Sequence, residues 1–180
     1  MSISNKVKAA LVGATLLGGS ITAVIQHNEG LSLTAYKDSA GVPTICYGET
    51  KGIQMGQKRT LTQCQEQLIR SAGEHAKALD GLPMTLSDVQ LLGALDLTYN
   101  IGISGFKNST VKRKLMQGDT RGAAQAVLAW RYITVSGKKY DCSVKGNKVC
   151  YGLWKRRVWE SQAIGNEFKS MQAAVAAMPK

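Results

Sequence analysis

Glu29 and Asp38 stand nine positions apart, and Thr44 follows Asp38 by six, within the stretch EGLSLTAYKDSAGVPT at residues 29–44. Two carboxylates close to a cleft are the equipment of glycoside hydrolysis, in which an acid protonates the leaving oxygen and a carboxylate activates water or attacks the sugar. Glu29 ends an apolar segment, where desolvation would favour a protonated carboxyl. Asp38 sits in turn chemistry whose backbone donors would keep it ionised. Thr44, across the turn, could position water through its hydroxyl. A Glu, an Asp and a Thr at one chosen spacing also arise by ordinary usage, so the elements around them must carry part of the argument.

Those elements begin with an apolar run. Lys6 and Lys8 precede eighteen residues, Ala9 to Gln26, without a formal charge. As one helix this run would span about 27 Å, close to the roughly 30 Å of a bilayer core. Glycines and hydroxyls at Gly13, Thr15, Gly18, Gly19, Ser20 and Thr22 dilute its leucines, valines and isoleucines. Three readings compete. Ile21-Thr22-Ala23 fits a small-x-small cleavage site poorly, against a removed signal peptide. A core helix of a soluble protein leaves the basic start unexplained. A weakly held signal anchor, lysine end in the cytoplasm and His27 onward outside, fits best.

Beyond the run, β-like pieces at Thr34–Tyr36 and Thr44–Tyr47 flank the turn residues between them and predict a small hairpin. Thr62 with Gln65 predicts a capping box, and Cys64, Leu68, Ala72, Ala76 and Leu79 recur on one face until Asp80-Gly81. Ser87 with Gln90 opens a helix apolar on nearly every side, which belongs in the middle of a bundle. Shorter helices are predicted near Thr110–Gln117 and from Asp119 through Trp130. A basic loop, a last helix at about Tyr151–Phe168 and a fraying tail, MQAAVAAMPK, complete the chain. The expected class is α+β and mostly helical.

Lys and Arg outnumber Asp and Glu by 23 to 12, a formal charge of +11, which suits polyanionic surroundings or a merely soluble basic surface. The basic groups Lys112-Arg113-Lys114, Lys138-Lys139 and Lys155-Arg156-Arg157 carry no nucleic-acid-binding signature. Cys46, Cys64, Cys142 and Cys150 match no zinc spacing, and with only His27 and His75 besides, a metal has few ligands. Four cysteines behind an apolar leader suit disulfides in an oxidising compartment, with three connectivities open and sequential pairing the simplest.

Around the Glu-x8-Asp-x5-Thr spacing, the text Glu29-Gly30-Leu31, Ala35-Tyr36-Lys37-Asp38 and Gly41-Val42-Pro43-Thr44-Ile45-Cys46-Tyr47-Gly48 resembles the active-site sequence of phage lysozymes, the endolysin muramidases of glycoside hydrolase family 24. Tyr99-Asn100-Ile101-Gly102, Phe106, Ser109-Thr110, Lys114-Leu115, Gly118-Asp119, Gly152-Leu153 and Arg156-Arg157 extend the similarity over most of residues 27–169. The leader is similar to that of the signal-anchor-release subgroup.

The resemblance implies a two-lobed fold, with a small β-hairpin lobe, a larger helical lobe and a weak membrane-anchor helix in front. Residues 1–27 would be the anchor, 28–170 the catalytic domain and 171–180 a tail. It implies Glu29 as general acid, Asp38 as catalytic carboxylate in an inverting reaction, and Thr44 as water-positioning partner. Arg156 or Arg157 would pair with the acid, with Tyr36 a further substrate contact. Where the family usually has histidine after Tyr-Gly, this chain has Glu49, which is taken as structural. The expected partners are peptidoglycan glycan strands, the bacterial inner membrane as a transient tether, and the export machinery. Neither cofactor nor nucleic acid is expected. The protein would be a monomer, first anchored and then periplasmic. A lytic transglycosylase, a non-enzymatic membrane-active lysis protein and a cytosolic nucleic-acid module are the alternatives.

Overall fold

The computed structural model describes residues 2–38 and 41–179, so Ser39 and Ala40 of the expected turn lie outside the described residues. The apolar run folds as two helices, α1 (Ile3–Val12) and α2 (Leu16–Glu29), bent by 87° at a break between them. Ser2 caps α1 and Thr15 caps α2, each accepting a backbone N–H from three residues on. Among the described residues no single helix is long and apolar enough to cross a membrane, and this pair passes that test only when taken together.

Both helices are built into the core. Ile3, Val7, Leu11, Leu17, Ile21, Val24 and Ile25 are buried in the same cluster as Ile45, Leu68, Leu91, Leu92 and Leu95. Polar contacts fix the leader as well. The Ser4 backbone N–H and hydroxyl donate to the two Asp80 carboxylate oxygens at 2.9 and 2.7 Å, and Lys6 Nζ lies 2.7 Å from Asp88. This differs from the single straight helix predicted from composition. An all-round apolar helix satisfies a bilayer and a protein interior equally well, and hydropathy does not report a bend.

Strands β1 (Ser32–Lys37) and β2 (Pro43–Cys46) form the expected antiparallel hairpin, with Tyr36 opposite Thr44 and Lys37 opposite Pro43. Helix α3 (Leu61–His75) follows, capped by a reciprocal box between Thr60 and Gln63. The predicted box was Thr62 with Gln65; both have T-x-x-Q spacing, and the earlier one wins because the helix starts at Leu61. A short 3-10 turn, Ala76–Leu79, leads to α4 (Asp88–Lys107), whose Ser87–Gln90 capping box is as predicted. Inside α4, Gly102 leaves helical geometry at φ 81°, a backbone region open to glycine, so the central helix is kinked.

Helices α5 (Thr110–Met116) and α6 (Thr120–Val127) come next. The stretch predicted as a basic loop contains a second hairpin, β3 (Tyr132–Val135) and β4 (Lys138–Asp141). Its Ser136-Gly137 turn has both residues at positive φ, 48° and 76°, as the tightest hairpin turns require. Helix α7 (Tyr151–Ile164) ends four residues before the predicted Phe168. It packs on α4 where Gly93 leaves no room: a Cβ there would come within 2.7 Å of Ala163 Cβ. The tail, expected to fray, forms α8 (Met171–Ala176), with Met171 and Ala174 buried and the Trp159 indole donating to the Ala174 carbonyl at 2.8 Å. Disulfides join Cys46 to Cys64, tying β2 to α3, and Cys142 to Cys150, closing the loop before α7.

Candidate active site

Glu29 is the last residue of α2, followed by Gly30 at φ 69°, which turns the chain directly into β1. Its side chain is 21 % exposed, and its Oε1 accepts from Arg156 Nη1 on α7 at 2.9 Å. Its Oε2 faces β2's exit: a Cβ on Gly48 would stand 3.4 Å away, and Gly48 already needs φ 82°. The end of β2 is held there by two tyrosines. Tyr99 on α4 donates to the Tyr47 carbonyl at 3.1 Å, and Gln26 on α2 donates to the Tyr47 hydroxyl at 3.3 Å. Burial pushes the Tyr99 phenol up to about 12, so it stays a proton donor throughout the physiological range.

The hairpin joins Asp38 and Thr44 through Val42. The Val42 N–H donates to Asp38 Oδ1 at 2.9 Å, and the Thr44 hydroxyl donates to the Val42 carbonyl at 2.9 Å. The Asp38 N–H also donates to the Val42 carbonyl, at 3.0 Å. A threonine hydroxyl has one hydrogen and two lone pairs. With the hydrogen given to Val42, Thr44 Oγ1 has only acceptor capacity left for a water. Tyr36, opposite Thr44, is 40 % exposed.

Of the two adjacent arginines, the structure brings Arg156 to Glu29 and turns Arg157 elsewhere. Arg157 donates to Glu160 Oε2 at 2.5 Å, to the Trp130 carbonyl at 2.9 Å and to Asn100. Sequence reading missed Asp96, which is 1 % exposed and accepts from Arg156 Nε at 3.0 Å and Nη2 at 2.9 Å. A signal was present: Asp96 is the one formal charge between Asp88 and Lys107 in an otherwise apolar helix. Asn28, beside Glu29, donates to the same carboxylate at 3.1 Å. Burial works against the Arg156 charge, but Asp96, Glu160 and Glu29 more than offset it and hold the guanidinium above its ordinary range. Asp96 thus balances Arg156 from behind, and the contact to Glu29 fixes the acid without leaving it before an unopposed cation.

Glu160 completes the array: it is fully buried, 3.4 Å from Arg156 and 2.5 Å from Arg157. Burial pushes it from 4.5 up to about 8, against the pull of Arg157. Between about pH 4.5 and 8 the unfolded chain releases this proton while the folded chain keeps it, so stability falls as pH rises through that window. Denaturation midpoints over this range should drop by several degrees from this group, and Glu160→Gln should flatten the descent.

Glu49 Oε1 accepts the backbone N–H groups of Thr50 and Lys51 at 3.1 and 2.9 Å, closing a turn. A groove of about 470 Å³ lined by His27, Asn28, Gly152, Leu153 and Arg156 adjoins the Glu29 pair. Neither Asp38 nor Thr44 lines it. Among the described residues no three of His, Cys, Asp and Glu gather as metal ligands would.

The phage lysozyme family matches residues 26–160. The SAR-endolysin of Escherichia phage N15 is 36 % identical over 171 residues, covering 87 % of this chain and 92 % of that protein. The SAR-endolysin of Pseudomonas phage phiKMV is 34 % identical over 132 residues, covering 73 % and 75 %. Among solved structures, the endolysin from Escherichia coli O157:H7 phage FAHEc1 superposes with a TM-score of 0.67 at 33 % identity, covering 81 % of this chain and 89 % of that one. The muramidase domain of SpmX from Asticaccaulis excentricus also gives 0.67, at 26 % identity, covering 81 % and 94 %.

Proposed function

The chain belongs to the phage lysozyme family, and we propose that within it the protein is a signal-anchor-release endolysin with Glu29 as general acid, Asp38 as general base and Thr44 as the hydroxyl that positions water. It is a glycoside hydrolase that cleaves bacterial peptidoglycan and lyses the host at the end of a phage cycle. The bond cut is the β-1,4 link between N-acetylmuramic acid and N-acetylglucosamine.

The observation that carries the assignment is the pairing of two fixed units. Arg156 holds Glu29 on the helical side, and Val42 links Asp38 to Thr44 in the hairpin. A glycan lying between the hairpin lobe and the helical lobe meets Glu29 at its bridging oxygen. Water donates one hydrogen to Thr44 and the other to Asp38, which leaves a lone pair aimed at the anomeric carbon. As the water oxygen bonds to that carbon, the glycosidic C–O bond breaks, its electron pair passes to the leaving oxygen, and Glu29 supplies that oxygen's proton. Asp38 takes the proton from the attacking water.

An earlier, membrane-tethered stage is part of the proposal. Straightened, α1 and α2 supply one span with Lys6 and Lys8 on the cytoplasmic side and Glu29 at the outer face. That form withdraws Ile3, Val7, Leu11, Leu17, Ile21, Val24 and Ile25 from the core. The remainder then lacks the apolar side chains that back the cleft, and the acid is absent from its place beside Arg156. Release into the periplasm restores both. Mass spectrometry of digested wall tests the chemistry: hydrated reducing ends are expected, with the rate falling roughly 10²-fold in Asp38→Asn. Anhydro-sugar ends would place the enzyme among lytic transglycosylases instead, and an unchanged Asp38→Asn rate would remove Asp38 from the reaction.

A further inference from the structure

Gly18 and Gly19 are adjacent in the leader and alike in composition, yet the fold treats them differently. A Cβ on Gly18 would lie 2.1 Å from the Ala10 carbonyl oxygen, 2.6 Å from its carbonyl carbon and 3.0 Å from Leu11 Cα. All three are backbone atoms, so no side chain can rotate aside. A Cβ on Gly19 would meet nothing within 4 Å.

The crowding arises from the elbow. The Ala10 carbonyl leaves the helical ladder and accepts from Thr15, its N–H at 3.4 Å and its hydroxyl at 3.3 Å. Thr15 Oγ1 in turn accepts the Gly18 N–H at 3.3 Å. Ala10, Thr15 and Gly18 therefore close a ring at the bend, with Ala14 at φ 50° inside it. In one continuous helix, residues 10 and 18 stand about 12 Å apart along the axis. There a methyl on either glycine would be too far from Ala10 to touch it, and the two substitutions would add the same apolarity and the same helix propensity.

We propose that Gly18 is a conformational selector: its missing side chain permits the bent leader, so departure from the membrane requires space at residue 18 as well as a weakly apolar span. The inference rests on the tethered stage proposed above and adds a steric requirement to it. Gly18 acts eleven residues from Glu29, at the other end of the same helix, by allowing α2 to take the position that delivers the acid.

The test uses the full-length chain with Gly18→Ala and Gly19→Ala beside the parent. Pulse-labelled protein in bacterial cells is followed from membrane pellet to soluble periplasmic fraction, and denaturation midpoints are measured on released protein. Gly18→Ala should leave the membrane roughly tenfold more slowly than Gly19→Ala and melt several degrees lower, because only it must push backbone apart. Gly19→Ala should melt no lower than the parent. Equal retention of the two variants, with normal parental release, overturns this inference alone, as does a Gly18→Ala midpoint equal to the parent's. A parent that never sediments with membrane overturns the tethered stage and, with it, this inference.

Discussion

Glu29→Gln should hydrolyse purified peptidoglycan roughly 10³-fold more slowly than the parent, with the fold intact. Glutamine keeps the shape and can still accept from Arg156 Nη1, now 2.9 Å from the carboxylate, so neither the helix end nor the arginine loses its partner. What it lacks is a proton to give. The leaving sugar oxygen must then depart as an alkoxide or wait for solvent, and among the described residues no other acid stands in Glu29's relation to Arg156 and Gly48. The change should appear in kcat with little effect on KM, since glutamine keeps the size and shape of the side chain. Thermal denaturation within a degree or two of the parent would separate lost chemistry from lost structure. Near-parental hydrolysis by this variant would remove Glu29 from the reaction.

Asp96→Ala should produce the largest loss of stability, about 3–5 kcal/mol, because it leaves Arg156 buried without its bidentate partner. For a chain of this size that corresponds to a fall of roughly 10 °C in Tm. Activity should fall too, below what unfolding explains at a temperature where the variant is folded. With Asp96 gone, Glu29 is the carboxylate left in hydrogen-bond contact with the Arg156 guanidinium, beside the buried Glu160 carboxyl. Arg156 is then no longer held from behind, and Glu29 loses the partner that fixes its position. Asp96→Asn keeps an acceptor and should lie between the two in stability. Denaturation midpoints and wall-digestion rates on the same preparations check both halves.

The residues proposed to react were the easiest to single out in the chain. Glu29, Asp38 and Thr44 belong to one short hairpin and its entry, so their spacing carries their relation. The choice between Arg156 and Arg157 was not legible, because adjacent residues on a helix diverge by about 100° and only packing against α4 sets which one faces Glu29. Asp96 lies 67 residues from Glu29 in sequence and meets it through Arg156 and through the neighbouring Asn28. The roles of individual basic residues were not legible either. Lys112 Nζ donates to the Ala78 and Asp80 carbonyls at 2.7 and 2.9 Å, Lys114 pairs with Asp119 at 2.7 Å, and both Arg156 and Arg157 are buried. Four residues of those groups therefore serve contacts within the fold. The bend at Gly13–Thr15 was hidden because hydropathy is blind to it, although Thr15 three residues before Gly18 is a capping pattern that marks a fresh helix start.

Acid and base acting together in a single displacement is the claim on which the rest depends, and the configuration of the newly formed sugar end reports it. Proton NMR of a soluble peptidoglycan fragment, recorded in the first moments of digestion before mutarotation, should show the α-anomer appearing first from the β-linked substrate. Initial release of the β-anomer would mean that Asp38 bonds to the sugar or that water enters from the Glu29 side, and either would contradict the account.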